Sequence, residues 1–99
     1  MRVFLNPGHA PNGQPDPGAV NEELGLRECD IAKNIADELE GYLVAADVEV
    51  VGNMQSDSLE EICEAANASG ADLFISIHCN SFNGSAKGTE VCVYPGSTA

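Results

Sequence analysis

Leu73-Phe74-Ile75-Ser76-Ile77-His78 is the strongest strand signal in the chain, an apolar run rich in β-branched and aromatic residues that ends on a histidine. A similar run, Val3-Phe4-Leu5-Asn6-Pro7-Gly8-His9, lies near the amino end and closes in the same way. The chain has only two histidines, and each follows a buried strand directly. In an α/β fold the carboxyl ends of neighbouring strands share one edge of the sheet, where ligand sites form. Two imidazoles delivered to that edge make two-thirds of a metal site, and the missing third should be a carboxylate.

Outward from these strands, the rest of the chain reads as βαβαββ. Arg2 to Asn6 is a short buried strand, and Pro7 to Gly25 is loop, rich in Gly, Pro and Asn. From about Leu26 to Ala45 the pattern turns helical. Ile31, Ile35, Leu39 and Tyr42-Leu43 recur at spacings of three and four, with Ala32 and Ala36 on the same face. Asp47 to Val51 alternates valines with acids and suits a second strand. Asp57 or Ser58 then caps a helix that carries Leu59, Ile62, Cys63 and Ala66 on one face and stops near Gly70. Leu73 to Cys79 is the third strand and Thr89 to Tyr94 a fourth. The expected fold is α/β: a mainly parallel or mixed sheet of about four strands with two helices. A sheet of this kind needs layers on both faces. Residues 1–99 are therefore read as one domain that forms the amino-terminal portion of a larger three-layer fold.

Ninety-nine residues with a 43% hydrophobic fraction allow one small core. A formal net charge of −12 at pH 7 argues against nucleic acid or anionic lipid as a partner. Most of the acids, Asp37, Glu38, Glu40, Glu60, Glu61 and Glu64 among them, fall on solvated helix faces. No apolar run is long enough to insert in a membrane, and no signal peptide opens the chain. Cys29, Cys63, Cys79 and Cys92 form no C-x-x-C pair. Reduced thiols are expected, with Cys63, Cys79 and Cys92 buried at apolar positions. A sheet with an open edge and uncovered apolar surface is also expected to self-associate.

A mononuclear hydrolytic zinc site takes three ligands from His, Glu or Asp and leaves a fourth position open. Asp16, Glu22, Glu23 and Glu28 lie between the first strand and the first helix, so each is a candidate for the third ligand. Glu28 is the best placed, in the first helical turn at the strand's carboxyl end. A glutamate there also suits the helix dipole without any ligand role. Glu22 and Glu23 sit in looser chain, and Asp16, between Pro15 and Pro17, looks like a turn former.

Asn6-Pro7-Gly8-His9, Asp16-Pro17-Gly18-Ala19, Gly25-Leu26-Arg27-Glu28 and Ser76-Ile77-His78-Cys79-Asn80, taken in order, resemble the zinc-dependent N-acetylmuramoyl-L-alanine amidases of the amidase 3 type. Gly88-Thr89-Glu90-Val91 before the last strand matches as well. The resemblance runs through nearly the whole chain. It implies zinc ligands at His9, Glu28 and His78, and a substrate-facing or orienting role for Asn80. It also implies hydrolysis of the amide between N-acetylmuramic acid and the L-alanine of the stem peptide, with peptidoglycan as partner. The expected place of action is the bacterial cell wall, reached by phage-type release of an endolysin or through a leader since trimmed away, as in an autolysin. The family's general-base glutamate lies on a later segment, expected beyond residue 99, so no catalytic residue is assigned within this chain. Zinc binding with feeble hydrolysis is the expectation for these residues alone. Ile62 stands where the family often has an arginine, and Cys29 where it has a lysine after the metal-binding glutamate.

The competing readings are of other kinds. One is a non-catalytic zinc-containing wall-binding or regulatory module. A non-haem iron oxygenase would want a His-x-Asp or His-x-Glu pair, and a Rossmann nucleotide binder a Gly-x-Gly-x-x-Gly turn after the first strand; both patterns are absent.

Overall fold

A computed structural model describes residues 1–79, 91–93 and 95 of the chain. The elements are β1 (Arg2–Pro7), a 3-10 turn (Pro11–Gly13), β2 (Val20–Asn21), β3 (Leu26–Arg27), α1 (Glu28–Ala45), β4 (Glu49–Asn53), α2 (Leu59–Ala68) and β5 (Leu73–Ile77). β1 is the centre of a three-stranded parallel sheet ordered β4-β1-β5, and β2 and β3 form a separate antiparallel pair. The α/β class and the two helices agree with the sequence reading. The expected strand Thr89 to Tyr94 lies mostly outside the described residues, and 91–93 are in no strand. Among the described residues no helix is long and apolar enough to cross a membrane.

The strand order reverses at β1. The chain leaves β1 for one neighbour through α1, then returns across β1 to the other neighbour through α2. Right-handed crossovers made in opposite directions place their helices on opposite faces. β1 shows the result, because Val3, Phe4 and Leu5 point alternately to the two faces and all three are buried. Phe4 stacks on its register partner Phe74 with ring centroids 5.8 Å apart. Beside Phe4, β4 carries Gly52, where a Cβ would come within 2.4 Å of the phenyl ring. At the amino end of the sheet Arg2 ties β1 to β4 and to the residue just before β5. Its backbone N–H donates to Asp72 Oδ2 at 2.8 Å, and its guanidinium Nε pairs with Glu49 at 2.8 Å.

Several boundaries differ from the sequence reading for local reasons. α1 begins at Glu28 and not Leu26, because Leu26 and Arg27 pair with Val20 and Asn21 across a turn closed by Gly25 at φ +68°. The stretch read as plain loop thus holds a hairpin. β4 begins at Glu49 and not Asp47. Asp47 takes a left-handed φ of +63° and, with Val48, bonds back to carbonyls of the last helical turn. The buried stripe of α1 is Cys29, Ala32 and Ala36, whose small side chains suit close approach to the sheet, while Ile35 and Tyr42 are exposed. α2 starts as expected, with Ser58 Oγ accepting from the Glu61 N–H at 3.2 Å. It buries Ile62, yet Leu59 stays 78% exposed. Cys63 and Cys92 are exposed and Cys29 is buried, so burial of the first two is corrected: apolar spacing marks a face, and only packing covers it. All four cysteines are free.

Candidate metal centre

The strand order β4-β1-β5 reverses direction at β1, and the carboxyl ends of β1 and β5 form the sheet edge at which open α/β folds bind ligands. His9 follows β1, His78 follows β5, and α1 opens with Glu28. Glu28 is held there by backbone capping. Its N–H donates to the Ala19 carbonyl at 2.8 Å, and that of Cys29 donates to Pro17 at 3.0 Å. Two donors that a helix start leaves free are thereby satisfied by the loop. Arg27, at the N-cap, braces the same loop from below by donating to Asn12 O at 3.0 Å while pairing with Asp30 at 2.7 Å.

Glu28 Oε2 lies 3.0 Å from His9 Nε2 and 3.1 Å from His78 Nδ1. The imidazoles meet edge to face, with centroids 5.0 Å apart at 87°. The three residues offer ligand atoms that all lie within 4.8 Å of one another. The separations of Glu28 from the two imidazoles are on the scale of the roughly 3–4 Å between donor atoms that share one zinc ion, and Glu28 would need to part from each by only a few tenths of an ångström. The donor set also suits a cation, since each imidazole can offer a ring nitrogen free of hydrogen and an ionised carboxylate offers only lone pairs. This group could hold a metal ion.

Glu28 is 5% exposed, and every contact it makes favours its ionised form. Burial pushes its carboxyl up, but the amides of Ala19 at 3.0 Å and Cys79 at 2.9 Å, the His78 hydrogen bond and the His9 charge together hold it below the ordinary 4.5. His9 is raised above its ordinary 6.5, chiefly by the hydrogen bond to Asp16, against burial and with help from the Glu28 charge. The linkage signs are opposite. The Glu28 contribution to stability is present above pH 4.5 and lost as pH falls through its lowered pKa. The His9 contribution is present below pH 6.5 and lost as pH rises through its raised pKa. For these groups the metal-free protein should melt highest at about pH 5–6. Thermal melts in chelator across pH 4 to 9 check this, and a melting temperature that climbs steadily above pH 6 would contradict it.

The backbone at the site is shaped to bring these groups together. His9 has φ +67°, a left-handed conformation that costs a non-glycine residue about 1–2 kcal/mol. Gly8 leaves no room for a side chain, because a Cβ there would stand 2.4 Å from His78 Cε1. Gly18, at φ +73°, leaves equally little, with a Cβ only 2.5 Å from His9 Cδ2 and 2.8 Å from Glu28 Oε1. Beneath, the buried Asn6 accepts from Ser76 Oγ at 2.8 Å and donates to Met54 O at 2.9 Å, joining β1 to β5 and to the segment after β4.

Among the sequence candidates, the structure brings His9, Glu28 and His78 together. Glu22 and Glu23 are exposed in the turn between β2 and β3. Asn80 lies outside the described residues, as do Gly88, Thr89 and Glu90. The Cys79 amide, not its thiol, serves Glu28. Asp16, also a candidate for the third ligand, is not in that group but stands behind His9, which it contacts at 2.8 Å. Gln55 carried no site expectation at all. It donates its two amide hydrogens to Gly8 O at 2.9 Å and Cys29 O at 2.8 Å, next to His9 and Glu28. Gln55→Ala is expected to cost about 1–3 kcal/mol, because it strands two partly buried carbonyls. Denaturant unfolding would measure this, and a variant within about 0.5 kcal/mol of the parent would show that water replaces the amide fully.

The profile of the N-acetylmuramoyl-L-alanine amidases of the amidase 3 type matches residues 3–98. The chain is 38% identical over 100 residues to the sporulation-specific N-acetylmuramoyl-L-alanine amidase of Bacillus subtilis (strain 168), covering 96% of this chain and 36% of that protein. It is 37% identical over 101 residues to the N-acetylmuramoyl-L-alanine amidase CwlM of Bacillus licheniformis, covering 97% and 37% respectively. To the uncharacterized protein YqiI of Bacillus subtilis (strain 168) it is 38% identical over 91 residues, covering 89% and 42%. The chain thus spans between 36% and 42% of the length of these relatives. With the match running from β1 through both histidine-bearing strands, the chain belongs to the amidase 3 family of N-acetylmuramoyl-L-alanine amidases.

Proposed function

We propose that this chain supplies the zinc-binding edge of an N-acetylmuramoyl-L-alanine amidase, with His9, Glu28 and His78 as the protein ligands. The convergence of those three groups at one edge of the sheet carries the reading. Bound there, zinc would supply Lewis acidity toward an amide carbonyl and make hydroxide accessible near neutral pH. The chain's own residues do the rest of the holding. His9 offers Nε2 and His78 offers Nδ1, the nitrogens nearest Glu28. Glu28 brings the single negative charge, kept ionised by the Ala19 and Cys79 amides. The substrate proposed is peptidoglycan, cut between the lactyl carbonyl of N-acetylmuramic acid and the L-alanine of the stem peptide, as the names of the amidase relatives indicate.

Elemental analysis after mild dialysis, paired with digestion of purified peptidoglycan by the protein expressed from its complete reading frame, tests this. One zinc per chain and release of stem peptides with new L-alanine amino termini are expected. Zinc and wall binding without release would favour a non-catalytic wall module. New reducing sugar ends would mean that a glycosidic bond is cut.

A further inference from the structure

The two oxygens of Asp16 do different work. Oδ1 accepts from the Gly18 N–H at 2.9 Å, the local turn that its position between two prolines suggests. Oδ2 faces away from that turn and meets His9 Nδ1 at 2.8 Å. The Asp16 backbone carbonyl accepts from the Ala10 N–H at 2.9 Å, which seats the loop against the residue that follows His9. A turn former needs only the first of these contacts.

We propose that Asp16 is a positioning residue for the metal centre, fixing both the ring orientation and the tautomer of His9 so that only Nε2 is free to bind. This rests on the zinc reading above. An ionised carboxylate can only accept, and two of them face the ring. Asp16 is the nearer, at 2.8 Å against 3.0 Å for Glu28, which already accepts from the Ala19 and Cys79 amides. A neutral ring therefore places its hydrogen on Nδ1. The neutral ring then has its lone pair on Nε2, the atom that lies 3.0 Å from Glu28 Oε2. A carboxylate behind a metal-binding imidazole also makes the ring a stronger donor. His78 differs, because its Nδ1 is the nitrogen turned toward Glu28. The centre would therefore use opposite nitrogens of its two histidines, and on the His9 side Asp16 enforces the choice. The left-handed backbone of His9 makes this support useful, since the strained residue gains a second anchor through its side chain.

The test has two parts. Nitrogen NMR of the metal-free protein, at a pH where His9 is neutral, reads its tautomer without any zinc. The Nδ1–H form is expected, and an Nε2–H form in the parent protein would overturn the proposal. Zinc affinity is then measured by chelator competition for the parent, Asp16→Asn and Asp16→Ala. Asparagine keeps an oxygen for the Gly18 amide but loses the charge, so it separates the turn from the positioning role. Both variants should bind zinc about 10–100-fold more weakly, with Asp16→Asn close in melting temperature to the parent when metal-free. Affinity within about 2-fold of the parent for a folded Asp16→Asn, with the tautomer unchanged, would also overturn it. A parent protein that binds no zinc would instead sink the functional reading, and the metal-free tautomer distinguishes that failure from this one.

Discussion

Glu28→Ala is expected to remove stoichiometric zinc and to lower the melting temperature of the metal-free protein as well. The first effect follows from the proposed ligand set, in which Glu28 is the only carboxylate and the only negative charge. Its loss should exceed the roughly 10–100-fold in affinity that an outer partner costs. The second follows from what the carboxylate does without metal. It accepts from the Ala19 and Cys79 amides at 3.0 and 2.9 Å, and it lies within 3.1 Å of both histidines. Alanine leaves partly buried donors without an acceptor, at about 1–3 kcal/mol. In a domain of this size each kcal/mol moves the melting temperature by about 4–8 °C. Elemental analysis and calorimetry on the same sample read both effects. Zinc occupancy unchanged in the alanine variant would remove Glu28 from the ligand set.

Gly18→Ala should be nearly as severe, although it changes neither charge nor a polar side chain. The residue sits at φ +73°, where an L side chain costs about 1–2 kcal/mol. Its new methyl would also stand 2.5 Å from His9 Cδ2 and 2.8 Å from Glu28 Oε1, inside any permitted contact. Relief requires moving those two side chains, so zinc affinity should collapse together with stability. Gly25→Ala supplies the control. Its φ is +68°, yet nothing lies within 4 Å of the position a Cβ would take. That variant should incur only the backbone strain and keep its zinc. If the two variants bind zinc equally well, the crowding at Gly18 has no bearing on the centre.

How far such features could be read in advance depended on how locally they are encoded. Val3 to His9 and Leu73 to His78 announce strands by composition, although only β1 is buried and β5 leaves Phe74 45% exposed. The topology rule then carries both histidines to one edge. Ser58 announces a helix start because its partner, Glu61, is three residues away. Glu28 was legible as a first-turn carboxylate beside the end of β1, where strand, loop and helix are consecutive in the chain. Asp16 was half legible: its bond to Gly18 is sequence-local, while its bond to His9 depends on how a proline-rich loop folds back. Gln55 could not be read at all, since its acceptors lie 47 and 26 residues away and both are backbone carbonyls, which carry no residue identity. The exposure of Leu59 and Cys63 makes a related point, because a periodic apolar stripe specifies which side of a helix is greasy but not what arrives to cover it.

The central position of β1 has a consequence for the order in which the molecule assembles. His9 and Glu28 come from the first strand and the helix that follows it, but His78 reaches them only when β5 docks, fifty positions after Glu28. Among the described strand pairings β1 with β5 spans the longest stretch of chain, so on loop-closure grounds the centre is expected to close late. A ligand that binds only the closed form stabilises by mass action, by about 2.7 kcal/mol at one hundred times its dissociation constant. That gain falls on the seam between β1 and β5, so zinc would work as a latch on β5. Slowed amide exchange in residues 73–77 on adding zinc would be its signature.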